Sequence, residues 1–338
     1  VVVVGYGVQK KSDVTGAMIR VGSEELNSRP VANAFEAMQG KAAGVDIVSN
    51  ERPGEVGTIN VRGVRSLSAS NTPLYVVDGI PLMSNSGIET LNPQDIESID
   101  VLKDASATAI YGSRGANGVI LVTTKSGKEG KMSLNYSGTV TIENLQDYSE
   151  MMNSAEYIDW RRWSYYYLNP SKYPRGDQPT KENDYEIFLG ATDPTAWKNI
   201  EKGWAGGTWD GSRVPNTDWC DMVTQTGVTH EHTLSASGGT DKMKGYASIG
   251  YLDNEGTVKG QSYTRYTTKL SLDLKPTKWF NLGLNVNGTF SEQQYGSSAS
   301  SVGQLIKGMP SNLYAASTSL FPYASPYDED GNRIEYPG

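Results

Sequence analysis

Few of these 338 residues carry side chains suited to covalent chemistry. The two histidines, His230 and His232, stand two apart, so in a strand they would share one face, as a metal pair requires. No cysteine or third ligand accompanies them, and an interfacial polar pair is the stronger expectation. The single cysteine, Cys220, leaves no partner for an intrachain disulfide and no Cys-based metal set. Gly112, Gly115 and Gly118 have neither the spacing of a Walker loop nor that of a dinucleotide fingerprint, and read as tight-turn glycines. The run Asp328-Glu329-Asp330-Gly331-Asn332 lacks the sixth-position glycine and twelfth-position glutamate of a calcium loop, so a hairpin turn is expected there. No Ser-His-Asp grouping can be inferred, and glycosidase-like carboxylate pairs cannot be recognised without a fold to place them. The reading is therefore not an enzyme: no catalytic residue, no metal and no cofactor.

Residues that could bind are more plentiful. Trp160, Trp163, Tyr166, Trp204 and Trp209 belong to a stretch dense in Trp and Tyr, set among Asn, Asp, Arg and Lys. Flat rings stack on sugars or on a protein partner. The alternative is that most of these rings form the small core of a long folded loop. Arg62 and Arg65 alternate on one strand, and Arg114 sits in a glycine turn. Either they pair with carboxylates on a facing wall or they make ion pairs within their own domain. Val1-Val2-Val3-Val4-Gly5-Tyr6 is β-branched and extended, suited to lending its backbone to another sheet's edge, or to serving as a linker strand.

The elements that must position these groups follow two grammars. From Gly16 to Gly127 short β runs (17–21, 45–49, 58–62, 74–77 and 119–124) alternate with brief helices over 33–39 and 104–110, which describes a small α/β domain. After Lys125 apolar and polar residues alternate strictly. Met132, Leu134, Tyr136, Val140 and Ile142 share one strand face. Tyr266, Thr268, Leu270, Leu272 and Leu274 oppose Arg265, Thr267, Lys269 and Ser271, and Phe280 to Phe290 repeats the pattern. Two weaker runs, 229–238 and 244–252, make five strands, each near the ~10 residues that a tilted strand needs to cross a bilayer. Connections alternate long and short: a long first loop, the tight 239–242 turn, a longer 253–261 loop, the short 275–278 turn, then a long tail. Outer-membrane barrels do this because one rim carries tight turns and the other external loops. Trp279-Phe280 beside a turn, and Tyr263 and Tyr266 near the opposite rim, suit interfacial girdles.

Composition agrees. Tyr (20) and Trp (7) outnumber Phe (5), and the 37 glycines fit many turns. A net charge of −8 leaves no basic face for nucleic acid. No apolar run approaches a spanning helix, so any membrane role falls to strands. Five strands leave open edges in lipid, so further strands are expected beyond Gly338, and the opening without Met or signal peptide suggests further sequence before Val1.

Three segments carry a family resemblance. They are Thr58 to Arg65 with its Ile-Asn-Val-Arg-Gly core, Pro73 to Pro81 with Val-Val-Asp-Gly, and the long Leu91 to Ile120 run, which contains Tyr-Gly-Ser-Arg-Gly-Ala-Asn-Gly. Together they resemble the plug of TonB-dependent receptors, and the last resembles the SusC/RagA branch. Val1 to Lys11 is similar to the segment just before the plug in that branch. The resemblance is strong over 1–127 and looser afterwards. It implies a TonB-binding segment over 1–14, an α/β plug over 15–128, and over 129–338 the first strands of an antiparallel barrel of about 22 strands, with external loops over 145–228 and 292–338.

The function it implies is import of a large nutrient, an oligosaccharide or peptide, through the outer membrane of a Gram-negative bacterium. Energy would come from TonB and its ExbB/ExbD complex acting on Val1–Tyr6, and a SusD-like surface lipoprotein would act as lid. Dimers of such transporter–lipoprotein pairs fit the family. Arg62, Arg65 and Arg114 would hold plug to barrel, and Trp160, Trp163, Tyr166, Trp204 and Trp209 would face ligand or lipoprotein. The alternatives are a receptor for a metal chelate or cobalamin, and a soluble glycan-binding β protein.

Overall fold

The computed structural model describes residues 2–4, 7–9, 18–28, 31, 33–49, 52–64, 66, 70–82, 88, 90–104, 108–146, 150–190, 194–296, 313–328 and 330–334. The chain divides into two units, Val1–Glu143 with Thr226–Tyr295, and Asn144–Gln225 with Gly296–Gly338.

Two sheets dominate the first unit. Strands β3 (Met18–Gly22), β6 (Leu74–Val77), β7 (Ile80–Pro81), β8 (Ile96–Leu102) and β9 (Val119–Thr124) form a five-stranded mixed sheet in the order β3-β8-β9-β6-β7. Only β6 and β9 run parallel. A hairpin of β4 (Val45–Val48) and β5 (Thr58–Val61) completes the domain. Its core gathers Leu26, Phe35, Met38, Ile59, Ile99, Ile120 and Val122. Asn33 begins the helix Ala34–Met38 by accepting from the amides of Phe35 and Glu36, which satisfies donors the first turn leaves free. The strand β8, where sequence suggested only a motif, is nearly all buried, because both faces of that central strand are covered. The helix expected over 104–110 forms later, as a 3₁₀ segment Ala109–Gly115 kinked at Gly112, and residues 105–107 lie outside the described set. Gly118 sits at φ +93 with Val61 within 3.0 Å of where a Cβ would stand, so turn and close packing both require glycine.

The second sheet is an antiparallel meander of β10 (Gly130–Glu143), β11 (Gly227–Gly239), β12 (Met243–Glu255), β13 (Gln261–Thr277) and β14 (Phe280–Tyr295). Its burial is inverted relative to a soluble sheet. Leu134, Ile142, Ile249 and Val286 are exposed, whereas Thr233, Ser248, Arg265, Thr267 and Lys269 are buried. The apolar face therefore looks away from the plug and the polar face toward it, as a wall between lipid and a filled lumen demands. On the outer face the register aligns His232, Tyr251, Tyr266 and Phe290, with Tyr136 reaching His232 across Gly138 at 2.7 Å. From that row to Thr277 is about 25 Å along the barrel normal at ordinary strand rise and tilt, the height of an apolar band.

Two expectations change. Tyr263 points inward and is buried against the plug, because it stands an odd number of residues from the outward Tyr266. The connection between β12 and β13 shrinks to residues 256–260, since the ladder continues to Glu255↔Ser262.

The second unit packs Ile158, Tyr173, Ile187, Phe188, Trp197, Ile200 and Tyr323 into one core. Its helix Ser154–Leu168 opens on a capping box between Asn153 and Glu156. Residues from after β14 are stitched in by backbone acceptors. The Trp219 indole donates to the Phe321 carbonyl at 2.9 Å, and the Asn199 amide to that of Tyr323 at 3.0 Å. Tyr327 pairs with Arg333 around Gly331 at φ +80, with Asp328 accepting from the Asn332 amide at 2.7 Å, so the expected hairpin turn is present.

A lysine on the outer face tests the assignment. In the full-length protein reconstituted in lipid, Val286→Lys is expected to lower stability by about 2–4 kcal/mol, read as a shift in urea midpoint. An unchanged midpoint would mean that this face does not meet lipid.

Candidate functional site

The site is the seam where plug meets wall, and it is built almost wholly from polar groups. Pro93 starts a 3₁₀ turn, Pro93–Asp95, and the Asn92 side chain caps it by accepting from the Gln94 amide at 2.8 Å. That leaves the Asn92 amide nitrogen free to cross to the wall, where it donates to Thr233 at 3.1 Å and Thr267 at 3.4 Å. It passes over Gly250, where a Cβ would stand 2.5 Å from the Asn92 nitrogen. A side chain at Gly250 would displace the Asn92 amide from Thr233 and Thr267. Asp95, at the end of the same turn, accepts from the Tyr246 hydroxyl at 2.8 Å and the Ser248 hydroxyl at 2.6 Å. Its backbone carbonyl takes the Lys125 amide at 2.7 Å. Burial lowers the Lys125 ammonium pKa, partly offset by Asp95 and Glu97.

Four further contacts extend the seam. Arg265, 1 % exposed, donates to the Leu91 carbonyl at 3.2 Å and faces Glu231 at 3.7 Å. Near the rim of the external loops, Gln293 donates to the Pro53 carbonyl at 2.7 Å, and Gly54 leaves room for the Tyr263 ring. At the far side Lys269 reaches from β13 to Thr124 at 2.5 Å and to Asn285 and Asn287 at 3.1 Å each. Toward the tight turns, a cleft of about 880 Å³ opens between plug and wall, lined by Arg20, Glu25, Glu97, Lys125, Lys131 and Ser133.

Two of the three arginines expected at this seam, Arg62 and Arg114, make their described contacts within the plug. Arg62, at φ +61, forms an ion pair with Asp104 of the plug itself, next to Lys103, whose pKa is lowered by burial and then by Arg62. Arg114 donates to the Leu82 carbonyl at 2.6 Å, again inside the plug. Arg65 lies outside the described residues. Thus the described contacts of Arg62 and Arg114 stay within the plug, and Asn92, Asp95, Asp78 and Thr124 meet the wall. A signal was available: Arg265 and Lys269 stand on the polar face of a strand whose other face is Leu and Tyr, and a lumen-facing cation needs a partner.

The N-terminal valines also differ from expectation. Val2–Val4 (β1) pairs antiparallel with Gly7–Gln9 (β2), so one edge is taken, and among the described residues no strand pairs with the other. Val1, Gly5 and Tyr6 lie outside the described residues.

The aromatic residues of the second unit separate into two sets. The Trp204 indole donates to Asp184 at 2.9 Å, and Trp209 lies 3.9 Å beneath the Arg162 guanidinium. Arg162 and Asp184 form a buried two-point pair at 2.9 and 2.6 Å, so both tryptophans serve the loop's own core. Trp163 is held between Tyr167, stacked at 27°, and the backbone at Gly176, with Arg175 over the ring. Trp160 is 53 % exposed, and Tyr166, half-buried, packs edge-on against Trp163.

No group of three or more metal-ligating side chains occurs among the described residues. What the site can do is hold a folded domain inside a polar-lined wall through bonds that water can replace.

Comparison with known proteins identifies the architecture. Residues 10–119 match the TonB-dependent Receptor Plug Domain family. The TonB-dependent receptor SusC of Bacteroides thetaiotaomicron is 32% identical over 350 residues, covering 98% of this chain and 30% of SusC. A TonB-dependent receptor of Formosa agariphila is 34% identical over 300 residues, covering 88% of this chain and 27% of that protein. Among solved structures, the RagAB peptide importer in its open-open state superposes with a TM-score of 0.74 at 29% identity, over 99% of this chain and 36% of that one. The chain belongs to the SusC/RagA family of TonB-dependent transporters, whose members are outer-membrane β-barrel proteins. It spans about a third of the length of the relatives it matches.

Removing the central acceptor tests the seam. Asp95→Ala removes the charged acceptor of the buried Tyr246 and Ser248 hydroxyls, leaving Tyr246 the hydroxyls of Ser248 and Ser235, at about 1–3 kcal/mol in total. Limited proteolysis of the full-length protein in detergent is expected to cut the plug at least tenfold faster, with the barrel still intact. An unchanged cutting rate would show that Asp95 does not hold the plug.

Proposed function

We propose that the protein carrying this chain imports a large nutrient, an oligosaccharide or peptide, across the outer membrane by a TonB-driven displacement of its plug. The supporting observation is the character of the seam. The plug keeps its own apolar core, and apart from the Tyr263 ring over Gly54 its described contacts to the wall are mainly hydrogen bonds, with the Lys269–Asp78 ion pair beside them. Such bonds exchange for water at small net cost, so a pulling force can free the plug without opening a shared hydrophobic core. In this reading TonB adds to the edge of Val2–Val4 away from Gly7–Gln9. A SusD-like lipoprotein covers the external side, and Trp160 and Tyr166 offer ring surface to ligand or lipoprotein. The likeness to a peptide importer keeps peptides within the substrate class.

Purification of the full-length protein from outer membranes in detergent tests the reading, and a surface lipoprotein in near-equal amount is the expected companion. Recovery in the aqueous fraction alone would overturn it and favour a soluble binding protein. With the co-purified ligand in hand, Trp160→Ala is expected to weaken binding about tenfold, the order of an aromatic anchor. Trp209→Ala should instead lower the thermal midpoint, because that ring lies on Arg162. Equal binding by Trp160→Ala and the parent would remove Trp160 from the contact surface.

A further inference from the structure

Asp78 occupies an unusual position. It is one of three non-glycine residues at positive φ among the described residues, at +48, in the turn between β6 and β7. A β-carbon in that region is disfavoured, so the conformation persists only where surrounding contacts hold it. Two sets of contacts do so, and they face in opposite directions.

The first set is internal to the plug. The Asp78 carboxylate accepts from the Thr124 amide at 2.8 Å and from the Thr124 hydroxyl at 2.6 Å, and the Asp78 amide donates to the Val122 carbonyl at 2.9 Å. Thr124 is the last residue of β9, and β6–β9 is the one parallel pairing of the plug sheet. The carboxylate thus closes the end of the ladder with the weaker hydrogen-bond geometry. The second set reaches the wall. Asn285 of β14 donates to the same carboxylate at 2.7 Å, and the Lys269 ammonium of β13 lies 4.0 Å away. Lys269 also donates to Thr124 at 2.5 Å, so the threonine hydroxyl sits between cation and anion. Lys269 is 4 % exposed, and with Asp78 removed its hydrogen bonds would go to neutral oxygens alone, leaving Asp95 as the one carboxylate still acting on its charge among the described residues.

We propose that Asp78, Thr124 and Lys269 form a clasp that ties the integrity of the plug's own sheet to its attachment to the wall. One carboxylate serves both, so drawing the plug from Lys269 and Asn285 unloads Asp78, and the β6–β9 edge loosens with it. Detachment and partial unfolding of this edge become one event. The inference rests on the import reading only for the use of that event. The clasp itself follows from the geometry.

Hydrogen exchange on the full-length protein in detergent, in the absence of TonB, tests it. Lys269→Met keeps the length of the side chain and removes its charge. Amides of β6 and β9 should then exchange at least tenfold faster, with β4–β5 unchanged, and Lys269→Arg should restore at least half of the protection. Asn285→Ala, a milder cut on the wall side, should give about a threefold effect confined to the same strands, and it stands in if Lys269→Met does not assemble. Unchanged exchange in β6 and β9, or acceleration spread evenly over the plug, would overturn the clasp. Because no transport is measured, failure of uptake in a separate assay would count against the import reading and leave this result standing.

Discussion

A polypeptide wall in lipid must satisfy every backbone donor and acceptor within itself, and it can present only apolar side chains outward. The rest of this structure follows from that constraint. Strict alternation then sends the polar half of each strand to the lumen, and whatever fills the lumen meets Thr, Ser, Asn, Lys and Arg rather than Leu and Val. The plug accordingly carries its own apolar core and touches the wall through Asn92, Asp95, Asp78 and the carbonyls of Leu91 and Pro53.

A polar seam is strong in sum and replaceable in detail. Each bond gains little over its hydrated alternative, yet each buried donor left alone costs more than the bond supplied. The domain therefore resists partial loosening at any one point, and yields when many contacts go together and water enters. Glycine shapes this fit where a side chain would intrude, at Gly250 beneath Asn92 and at Gly54 beneath Tyr263. The same logic operates in the second unit. There the buried Arg162–Asp184 pair recruits Trp204 and Trp209, turning rings that could have stacked on a ligand into parts of the loop's own core.

Sequence reasoning located the wall strands to within a few residues, and their facing correctly, because period two in a half-apolar strand has one physical solution. The same rule separates Tyr263 from Tyr266: an odd spacing puts them on opposite faces, so only Tyr266 can join an outer girdle. The plug strands 45–48, 58–61, 74–77 and 119–124 were visible from their β-branched runs. Strand 96–102 was hidden inside a motif rich in Asp, Glu and Ser, residues that pair there with Arg20 and Lys128.

What the sequence by itself determined is the inside-out sheet, the turn glycines and the family. All of these are local patterns, fixed by side-chain type and period. Which residues clasp plug to wall was decided only by the tertiary structure. Asn92 meets Thr233 across 141 positions and Asn285 meets Asp78 across 207, and no local rule carries pairing over such distances. Arg62 and Arg114 looked equally suited to the seam, but their nearest acceptors, Asp104 and the Leu82 carbonyl, lie within the plug. A charged side chain takes the partner that the fold brings within reach, and that proximity is a property of the assembled sheets rather than of any one segment.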